Sequence, residues 1–410
     1  MTSPSTGLAP VTSGERLGVL DALRGFALLG VLLANLAEFA GPPWMATGPQ
    51  LDSLTTAGRD GQTYFLLDWF VFGKANTLFA TLFGIGFWVQ LERLESRGAA
   101  FERIYLRRLF VLLLIGLVHV AFIWEFDILH VYALAGFLLF FMRKVRDRVL
   151  ISLGVALAVF GRPVFDYLGD LSGIFFDPEP LYADAIILGR QEASEAGRYG
   201  DLVQQFWTMT LYEWVAGGLL LGWIIYALGR FLIGAYIARR GWVQRAGELL
   251  PQYARVMAVA LPLGLLGQYL SASVAADRMG PLLGSELFTD VVDYASIPLT
   301  SLGYACLIVL LFHSALRPMA TVFGPVGRMA LTNYVMQSFL IAFLLFGIGP
   351  GLALAGKEGT LALTIYAVIF FLGQIVFSHL WLKMFAFGPL EYLWRWATYG
   401  KRPGFRRQPA

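Results

Sequence analysis

The sequence predicts an all-α protein that crosses a membrane about ten times. Only 14% of its 410 residues are charged and 57% are hydrophobic, whereas a soluble domain carries about 25% charged residues. Several apolar runs exceed the roughly 20 residues that a helix needs to span the hydrocarbon core. A transmembrane β-barrel would instead show segments of roughly ten residues with alternating apolar and polar positions, and the sequence contains none.

Ten apolar runs are candidate spans. The second and the sixth are longer than a bilayer requires, which indicates a tilted, broken or partly interfacial segment in each. The predicted spans are residues 17–39, 64–91, 104–124, 126–142, 148–166, 207–238, 251–275, 288–313, 328–349 and 360–383.

The distribution of lysine and arginine supports this order of spans and orients the chain. Six segments on one predicted side carry 22 basic residues, and the loops on the other side carry five. The six segments include both termini, with Arg16 near the first and Arg407 near the last, and the loop with Arg97. Basic residues concentrate in the cytoplasmic loops of membrane proteins. The sequence therefore predicts that both termini are cytoplasmic.

The chain is predicted to form a single integral membrane domain over residues 1–410. An N-terminal half of five helices, 17–166, and a C-terminal half of five helices, 207–396, flank an extracytoplasmic loop, 167–206. Long loops often carry function, so this loop is either a spacer or a lid over an outward-facing site. No internal repeat is visible in the sequence, so the repeat design of many transporters gains no support.

The stretch HVAFIWEFDILHVYA, residues 119–133, places four titratable groups at the junction of the third and fourth spans. A tight helical hairpin would bring His119 close to Asp127, which opens the fourth span. A helix N-terminus favours an aspartate, and an aspartate that orients a histidine raises its basicity. We expect His119 and Asp127 to be the catalytic pair. His130 is expected to be auxiliary and Glu125 to be solvated; the alternative is a capping aspartate beside an unrelated core histidine.

Polar residues inside the predicted spans fall into two layers. Such groups are costly in a membrane and usually face a cavity or a partner. Two layers with an apolar middle indicate two openings or one cavity that crosses the membrane. The candidates for substrate or cavity contact are Asp21, Arg24, Arg230, Asn333 and Gln337 near the cytoplasm, and Asn35, Lys74, Asn76 and Arg162 near the outer face.

Several of these candidates also have structural explanations. Asp21 and Arg24 share a helix face, which suits either an interfacial ion pair or an arginine that binds an anion such as phosphate. Asn333 and Gln337 are four residues apart and likewise share one helix face, which suits interhelical hydrogen bonds as well as a cavity wall.

The basic residues inside two other spans have competing interpretations. Lys74 beside Gly73 suits either a side chain that snorkels to the interface or a helix break whose freed backbone groups line a cavity. Arg230 lies about two turns from the cytoplasmic end of its span, and snorkelling is the favoured interpretation there.

Missing motifs disfavour several classes of protein. The sequence has one cysteine, Cys306, and no His-x-x-x-His, Walker-type glycine loop or GxSxG motif. No metal is expected, and a pump, a metalloenzyme or a serine hydrolase is disfavoured. The net charge of +3 arises from loops between spans and does not indicate nucleic-acid binding.

Six ordered motifs carry a resemblance to a known family. They are RLGVLDALRGFALLGVLLAN, GKANTLFATLFGIGF, RRLFVLLLIGLVHVAFIWEFDILHVYALAG, LGRFLIG, GRMALTNYVMQS and FGPLEYLWRW. In this order they resemble the YeiB-like family of bacterial inner-membrane proteins, whose C-terminal half is classed as a domain of unknown function. The resemblance covers residues 16–396 and implies a multi-pass protein of the bacterial cytoplasmic membrane.

The first motif is more distantly similar to that of transmembrane acyltransferases such as heparan-α-glucosaminide N-acetyltransferase. Those proteins use cytoplasmic acyl-CoA and modify a sugar on the far side. The resemblance places Asp21, Arg24 and Asn35 at matching positions. Those acetyltransferases have a catalytic histidine shortly after the asparagine, whereas LAEFAGPPWMATGP has none. Another base is needed here, and His119 is the candidate.

Two functional hypotheses follow. The first is a membrane acyltransferase that moves an acyl group from cytoplasmic acyl-CoA to a hydroxyl or amine of a small-molecule or glycan acceptor. The second is a transporter or exporter of a small polar metabolite, which uses the two polar layers as alternating gates. Membrane lipids are expected partners, nucleic acid is not, and a homodimer is left open.

Overall fold

The chain is built almost entirely from helices. The computed structural model describes residues 18–96, 101–349 and 351–407, and within them the only extended pairing is an isolated antiparallel bridge between Phe385 and Arg406. A helix satisfies its own backbone hydrogen bonds, which a membrane span requires. The predicted all-α, multi-pass architecture is confirmed. Arg16 and Arg97, which entered the loop-charge prediction, lie outside the described residues.

The described N-terminal half contains nine α-helices: two each for the second and fifth predicted spans, one for each of the other three spans, and two short connecting helices. One turn of π-helix extends the first helix to Phe39 and another joins the eighth to the ninth. The bounds are α1 Gly18–Ala34, α2 Pro42–Met45, α3 Gly48–Ser53, α4 Ala57–Phe70, α5 Lys74–Ser96, α6 Phe101–Phe122, α7 Leu129–Phe141, α8 Asp147–Ala156 and α9 Arg162–Ser172.

The remainder of the chain begins with two helices in the long polar stretch and continues with the C-terminal half. The bounds are α10 Asp184–Glu195, α11 Tyr199–Met209, α12 Leu219–Arg239, α13 Leu250–Ala275, α14 Glu286–Phe312, α15 Arg317–Thr321, α16 Gly324–Arg328, α17 Ala330–Leu344, α18 Thr360–Met384 and α19 Pro389–Tyr399.

Two of the ten predicted spans are shorter than a bilayer requires. Eight helical segments of the described chain are long and apolar enough to cross a membrane. The fourth and ninth predicted spans correspond instead to α7, with 13 residues, and α17, with 15 residues. Most side chains of both helices are buried. Their surroundings are therefore mainly protein, so neither helix has to match the thickness of the lipid.

Contacts between loops define two opposite ends of the molecule. At the basic end Arg239 pairs with Asp147 at 3.0 Å, and the guanidinium of Arg108 lies 3.9 Å from the ring centre of Trp394. At the other end, which we call the lid end, Lys357 pairs with Glu195 of α10 at 2.8 Å. Arg143 also pairs with Glu102, so these contacts link four of the arginine-rich segments at one end. Which end faces the cytoplasm stays a prediction.

The second and sixth predicted spans are both interrupted. Gly73, between α4 and α5, has a φ of 73°, and Gly218, before α12, has a φ of 77°, a left-handed conformation that favours glycine. Tyr226 Oη donates a hydrogen bond to the Gly73 carbonyl at 3.0 Å, and Ser301 Oγ donates to the Lys74 carbonyl at 2.8 Å. Protein side chains therefore bind the carbonyls at the first break.

Most of the loop predicted over residues 167–206 packs onto the body as a lid. Its first residues continue α9, and α10 and α11 follow. Gln191 Nε2 donates to the Met45 carbonyl at 2.8 Å. Ala193 and Phe206 belong to the same buried apolar cluster as Trp124, which precedes α7. This packing favours a lid over a spacer.

Candidate functional site

Asp127 is the centre of a group of buried polar side chains. Its Oδ2 accepts hydrogen bonds from the backbone N–H groups of Leu129 at 2.8 Å and His130 at 3.2 Å, and His130 Nδ1 lies 3.2 Å from the same oxygen. Its Oδ1 lies 3.2 Å from Tyr334 Oη and 3.2 Å from His119 Nδ1. We call Asp127, His119, His130 and Tyr334 the hub.

Three chain segments meet at the hub. Asp127 binds N–H groups at the start of α7 that have no helical carbonyl partner. Gly116, one turn before His119 on α6, permits a close approach of α7, because a Cβ there would lie 2.4 Å from the backbone nitrogen of His130. Tyr334 comes from α17, 207 residues along the chain from Asp127. The hub is therefore a tertiary arrangement around one helix N-terminus.

The predicted proximity of His119 and Asp127 is present, but the pair is not a well-aligned hydrogen bond. The atoms Nδ1 and Oδ1 are 3.2 Å apart, yet neither ring nitrogen of His119 makes a hydrogen bond within the described part of the chain. His130 makes more hydrogen bonds with Asp127 than His119 does, since both its backbone N–H and its ring nitrogen contact the carboxylate. The expectation that His130 is only auxiliary is therefore not supported by the geometry.

Three cavities lie in a file between the basic end and the hub. The mouth has a volume of about 300 Å³, the middle cavity about 140 Å³ and the innermost chamber about 20 Å³. Arg24 and Arg108 line both the mouth and the middle cavity. Asn76 and Tyr334 line both the middle cavity and the chamber. The shared lining residues place the three cavities next to one another, from the basic end to Tyr334 of the hub.

The mouth is strongly basic. Of the two carboxylates on its wall, Asp21 pairs with Arg24 at 3.0 Å, which corresponds to the ion-pair alternative. Glu391 binds the start of α17, where its Oε1 accepts from Leu331 N–H at 2.6 Å and its Oε2 from Thr332 Oγ1 at 2.6 Å. Five arginines outnumber these two acids, so the mouth suits an anionic ligand. They are Arg24, Arg93, Arg108, Arg328 and Arg395.

Tyr334 is the member of the hub that lines the file of cavities, and sequence reasoning missed it. Its hydroxyl contacts Asp127 Oδ1 at 3.2 Å and accepts from the Ile128 N–H at 3.3 Å. His119 and Asp127 line none of the three cavities. A tyrosine in an apolar helix usually contributes packing. Its place in the motif GRMALTNYVMQS was the available signal.

Asn35 and Asn76 provide the polar part of the chamber wall, as their selection from the sequence anticipated. Neither side-chain amide makes a hydrogen bond to another described residue, although Asn35 is only 6% exposed. A cavity of about 10–15 Å³ holds one water, so the chamber admits a single small polar group. The two amides and Tyr334 are the groups that would bind it.

Asn333 and Gln337 lie between helices and line none of the three cavities. Asn333 Nδ2 donates to Ser378 Oγ at 3.0 Å, and Gln337 Nε2 donates to Gln374 Oε1 at 3.0 Å and to the Leu28 carbonyl at 3.3 Å. Both side chains are fully buried. The geometry corresponds to the interhelical alternative, in which α17 is joined to α18 and α1.

Lys74 and Arg162 also lie away from the three cavities. Lys74 is 1% exposed, and its Nζ donates to the Asp68 carbonyl at 2.5 Å. It therefore does not snorkel, although the predicted helix break beside it is present. Arg162 contacts Asp166 one turn further along α9 at 2.7 Å, which is a local ion pair near the lid end.

The snorkelling interpretation of Arg230 is wrong. The residue has no exposed surface. Its Nε donates to Thr77 Oγ1 at 2.8 Å, its Nη1 donates to the Tyr226 carbonyl at 3.0 Å, and the guanidinium lies 3.3 Å from the centre of the Tyr226 ring. These contacts join α12 to α5 in the protein interior. The side chain turns towards a neighbouring helix because buried partners there replace the water at the interface.

Glu125 is buried, so the expectation of a solvated turn is wrong. It is 5% exposed, and burial raises the pKa of its carboxyl group from 4.5 to about 7. The Arg190 guanidinium on α10 acts in the opposite direction. The sequence places Glu125 in a short loop, but the lid covers that loop.

The hub can hold and move protons, but it does not resemble a metal site. No group of three His, Cys, Asp or Glu side chains with the geometry of metal ligands occurs in residues 18–96, 101–349 and 351–407. A buried aspartate that faces two imidazoles and one phenol can redistribute a proton among them. Of these groups, only Tyr334 lines the path of cavities.

Comparison with known proteins identifies relatives over almost the whole chain. The family profile described as "Protein of unknown function (DUF418)" matches residues 237–401. The uncharacterized protein YxaH of Bacillus subtilis (strain 168) is 32% identical, and the match covers 96% of this chain and 97% of the relative. The uncharacterized protein YeiB of Escherichia coli (strain K12) is 30% identical over 94% of this chain and 96% of its own length. No solved structure matches.

Proposed function

The chain belongs to the YeiB-like family, which carries the DUF418 region in its C-terminal half, and from this premise we propose that it is a membrane acyltransferase. The proposed donor is acyl-CoA, which binds from the basic end. The proposal places this end on the cytoplasmic side of the bacterial inner membrane. The proposed acceptor is a hydroxyl or amine of a small molecule or glycan. The observation that carries the proposal is the file of cavities from the basic mouth to Tyr334.

The mouth has the chemistry to bind the phosphates of the donor. Guanidinium groups bind phosphate through paired, charge-assisted hydrogen bonds. Arg24 and Arg108 line both the mouth and the middle cavity, and we call the boundary between these two cavities the neck. A donor with its phosphates at this neck would extend its thioester arm towards the hub.

The middle cavity suits a short acyl group. Its wall is mainly apolar and includes Leu28, Phe79, Phe83 and Leu112. Its volume of about 140 Å³ is close to the roughly 150 Å³ of an engineered protein cavity that binds benzene. We therefore propose an acyl group of a few carbons.

The hub would manage the proton of the acceptor. In the proposed reaction the acceptor oxygen or nitrogen attacks the thioester carbonyl, the carbon–sulfur bond breaks, and the proton of the acceptor ends on the coenzyme A thiol. Tyr334 would receive this proton while its own passes to Asp127, and the return path delivers it to the leaving thiolate. His119 and His130 would act through Asp127, which makes them positioning residues in this scheme.

Thiol release by purified protein tests the proposal. Protein in detergent would be mixed with acetyl-CoA or butyryl-CoA and a mixture of amines and sugars, and free coenzyme A would be measured by a thiol reagent. Acceptor-dependent thiol release that is lost in Tyr334→Phe supports the proposal. Donor binding without any acyl transfer, over a broad set of acceptors, would contradict it.

A transporter of a small polar metabolite is the second candidate. It is favoured by the two interrupted helical segments, which contact each other where Tyr226 Oη meets the Gly73 carbonyl. Discontinuous helices surround the substrate site in many transporters. Substrate flux into liposomes, without thiol release or any chemical change, would select this function over the acyltransferase.

A further inference from the structure

The lid meets the body through three buried charged groups that the proposed reaction does not use. Arg190 on α10 is 5% exposed, Glu125 in the loop before α7 is 5% exposed, and Glu213 before α12 is 9% exposed. Arg190 forms no ion pair within 4.0 Å with either carboxylate in the described residues. Its Nη2 donates instead to the Leu181 carbonyl at 3.1 Å and contacts Met209 Sδ at 3.0 Å.

The two carboxylates differ in their hydrogen bonds. Glu213 Oε2 accepts from Tyr182 Oη in the lid at 2.6 Å. Glu125 Oε2 is buried and has no partner within the described chain. An ionised carboxylate with an unbound buried oxygen is strongly disfavoured, whereas the neutral acid is tolerated. Burial beneath the lid therefore favours the protonated form of Glu125.

The two carboxylates are next in sequence to residues of the chamber wall. Phe126 follows Glu125 and Trp214 follows Glu213, and both aromatic residues line the chamber. The Trp214 ring also packs against His130 of the hub, with 4.9 Å between ring centres. The two buried carboxylates thus adjoin the chamber at the end of the file of cavities away from the basic mouth.

We propose that α10, the loop carrying Glu125 and the helical turn carrying Glu213 form a gate over the chamber, which closes when Glu125 is protonated and opens when it ionises. The gate would open a second path into the chamber, from the lid end. That the acceptor uses this path rests on the proposed function; the opening itself does not.

The direction of the pH effect follows from the carboxyl group in its two environments. Burial under the lid raises the pKa of Glu125 to about 7, and exposure to water would return it towards its ordinary value of about 4.3. The closed form then binds the proton more tightly, so low pH favours closure and a rise through pH 7 favours opening. The other charged or titratable groups that face the contact are Arg190, Tyr182 and, through Trp214, His130.

Cysteine accessibility tests the gate in detergent, where the orientation of the chain does not matter. Cys306, the single cysteine, is replaced by serine. Ser194→Cys reports opening, because Ser194 lies on α10 and is 2% exposed. Ser172→Cys, at an exposed position just before the lid helices, is the matched control. The rate of maleimide labelling at Ser194→Cys is divided by the rate at Ser172→Cys, which removes the pH dependence of the thiol itself.

The normalised rate is expected to rise several-fold between pH 6 and pH 8. In Glu125→Gln, which cannot ionise, it should stay low at both pH values. A normalised rate that is independent of pH in the parent protein would overturn the proposal. So would rapid labelling of Glu125→Gln at pH 6, since the charge of Glu125 would then hold the lid closed. If Glu125→Gln does not fold, Glu213→Gln tests the same contact and should reduce the rise.

Discussion

Tyr334 Oη lies 3.2 Å from Asp127 Oδ1 and joins the two short central helices, α7 and α17, which come from opposite halves of the chain. The hydroxyl accepts a hydrogen bond from the Ile128 N–H and donates its own hydrogen to the aspartate. This contact connects the file of cavities to the buried histidines.

Tyr334→Phe should abolish acyl transfer while the protein remains folded. The change removes one hydroxyl and leaves the ring in place, so the cost in stability is about 1–3 kcal/mol for the partner left unbound. Loss of a group that transfers the proton lowers the turnover by roughly 10²–10⁴-fold. Turnover and the melting temperature in detergent are the measurements. Normal turnover in a folded Tyr334→Phe protein would exclude the tyrosine from the reaction.

His119→Ala and Asp127→Asn should not be additive. Both residues act through one carboxylate, so the double variant should be little slower than the slower single variant. Each variant is compared for turnover and for its elution in size-exclusion chromatography. Independent, multiplicative losses would show that His119 acts on the substrate by another route. Full activity in His119→Ala would leave His130 as the histidine that matters.

Gly116→Ala should separate α6 from α7 and disturb the hub. The added methyl group would lie 2.4 Å from the backbone nitrogen of His130, which cannot move aside as a side chain can. Overpacking of this kind costs about 1–3 kcal/mol. Gly373→Ala in α18 is the control, because a Cβ there contacts nothing within 4 Å. Thermal unfolding should show a lower stability for Gly116→Ala and no loss for Gly373→Ala.

Arg108→Gln should weaken the binding of coenzyme A, and Arg107→Gln should not. Arg108 lines the mouth and the middle cavity, whereas its neighbour Arg107 is exposed on the same helix. A hydrogen bond to a charged group is worth about 1.5–3 kcal/mol, which corresponds to roughly tenfold or more in affinity. Titration calorimetry with coenzyme A measures the difference. Equal affinities of the two variants for coenzyme A would show that its phosphates do not bind at this neck.

The lid end should face the outside of the cell. Ser172→Cys is exposed at this end and should react with a membrane-impermeant maleimide in intact cells, whereas Ser96→Cys should react only after lysis. Ser194 is unsuitable for this experiment, because this residue of the lid helix α10 is only 2% exposed. Labelling of Ser96→Cys in sealed cells would reverse the orientation.

The features that depend on local order along the chain could be predicted. The spans followed from the length of the apolar runs, and the shared end of the basic loops followed from their alternation. The ion pair between Asp21 and Arg24 and the proximity of His119 to Asp127 also depend on short separations in sequence. Asn35 and Asn76 were identified because an amide inside a membrane span is unusual.

Tertiary structure decided where each long side chain finds its partner. Arg230 is near the end of its helix in sequence, but Thr77 and Tyr226 bind it in the interior. Glu125 lies in a short loop, but a lid that begins more than 50 residues later covers it. Tyr334 resembles any buried tyrosine until Asp127 is placed beside it, 207 residues away. The sequence alone determined which segments are apolar enough to enter a membrane, because that depends on the hydrophobicity of each segment. The tertiary structure decided which polar groups meet, because in a buried site each must find a hydrogen-bond partner on another segment.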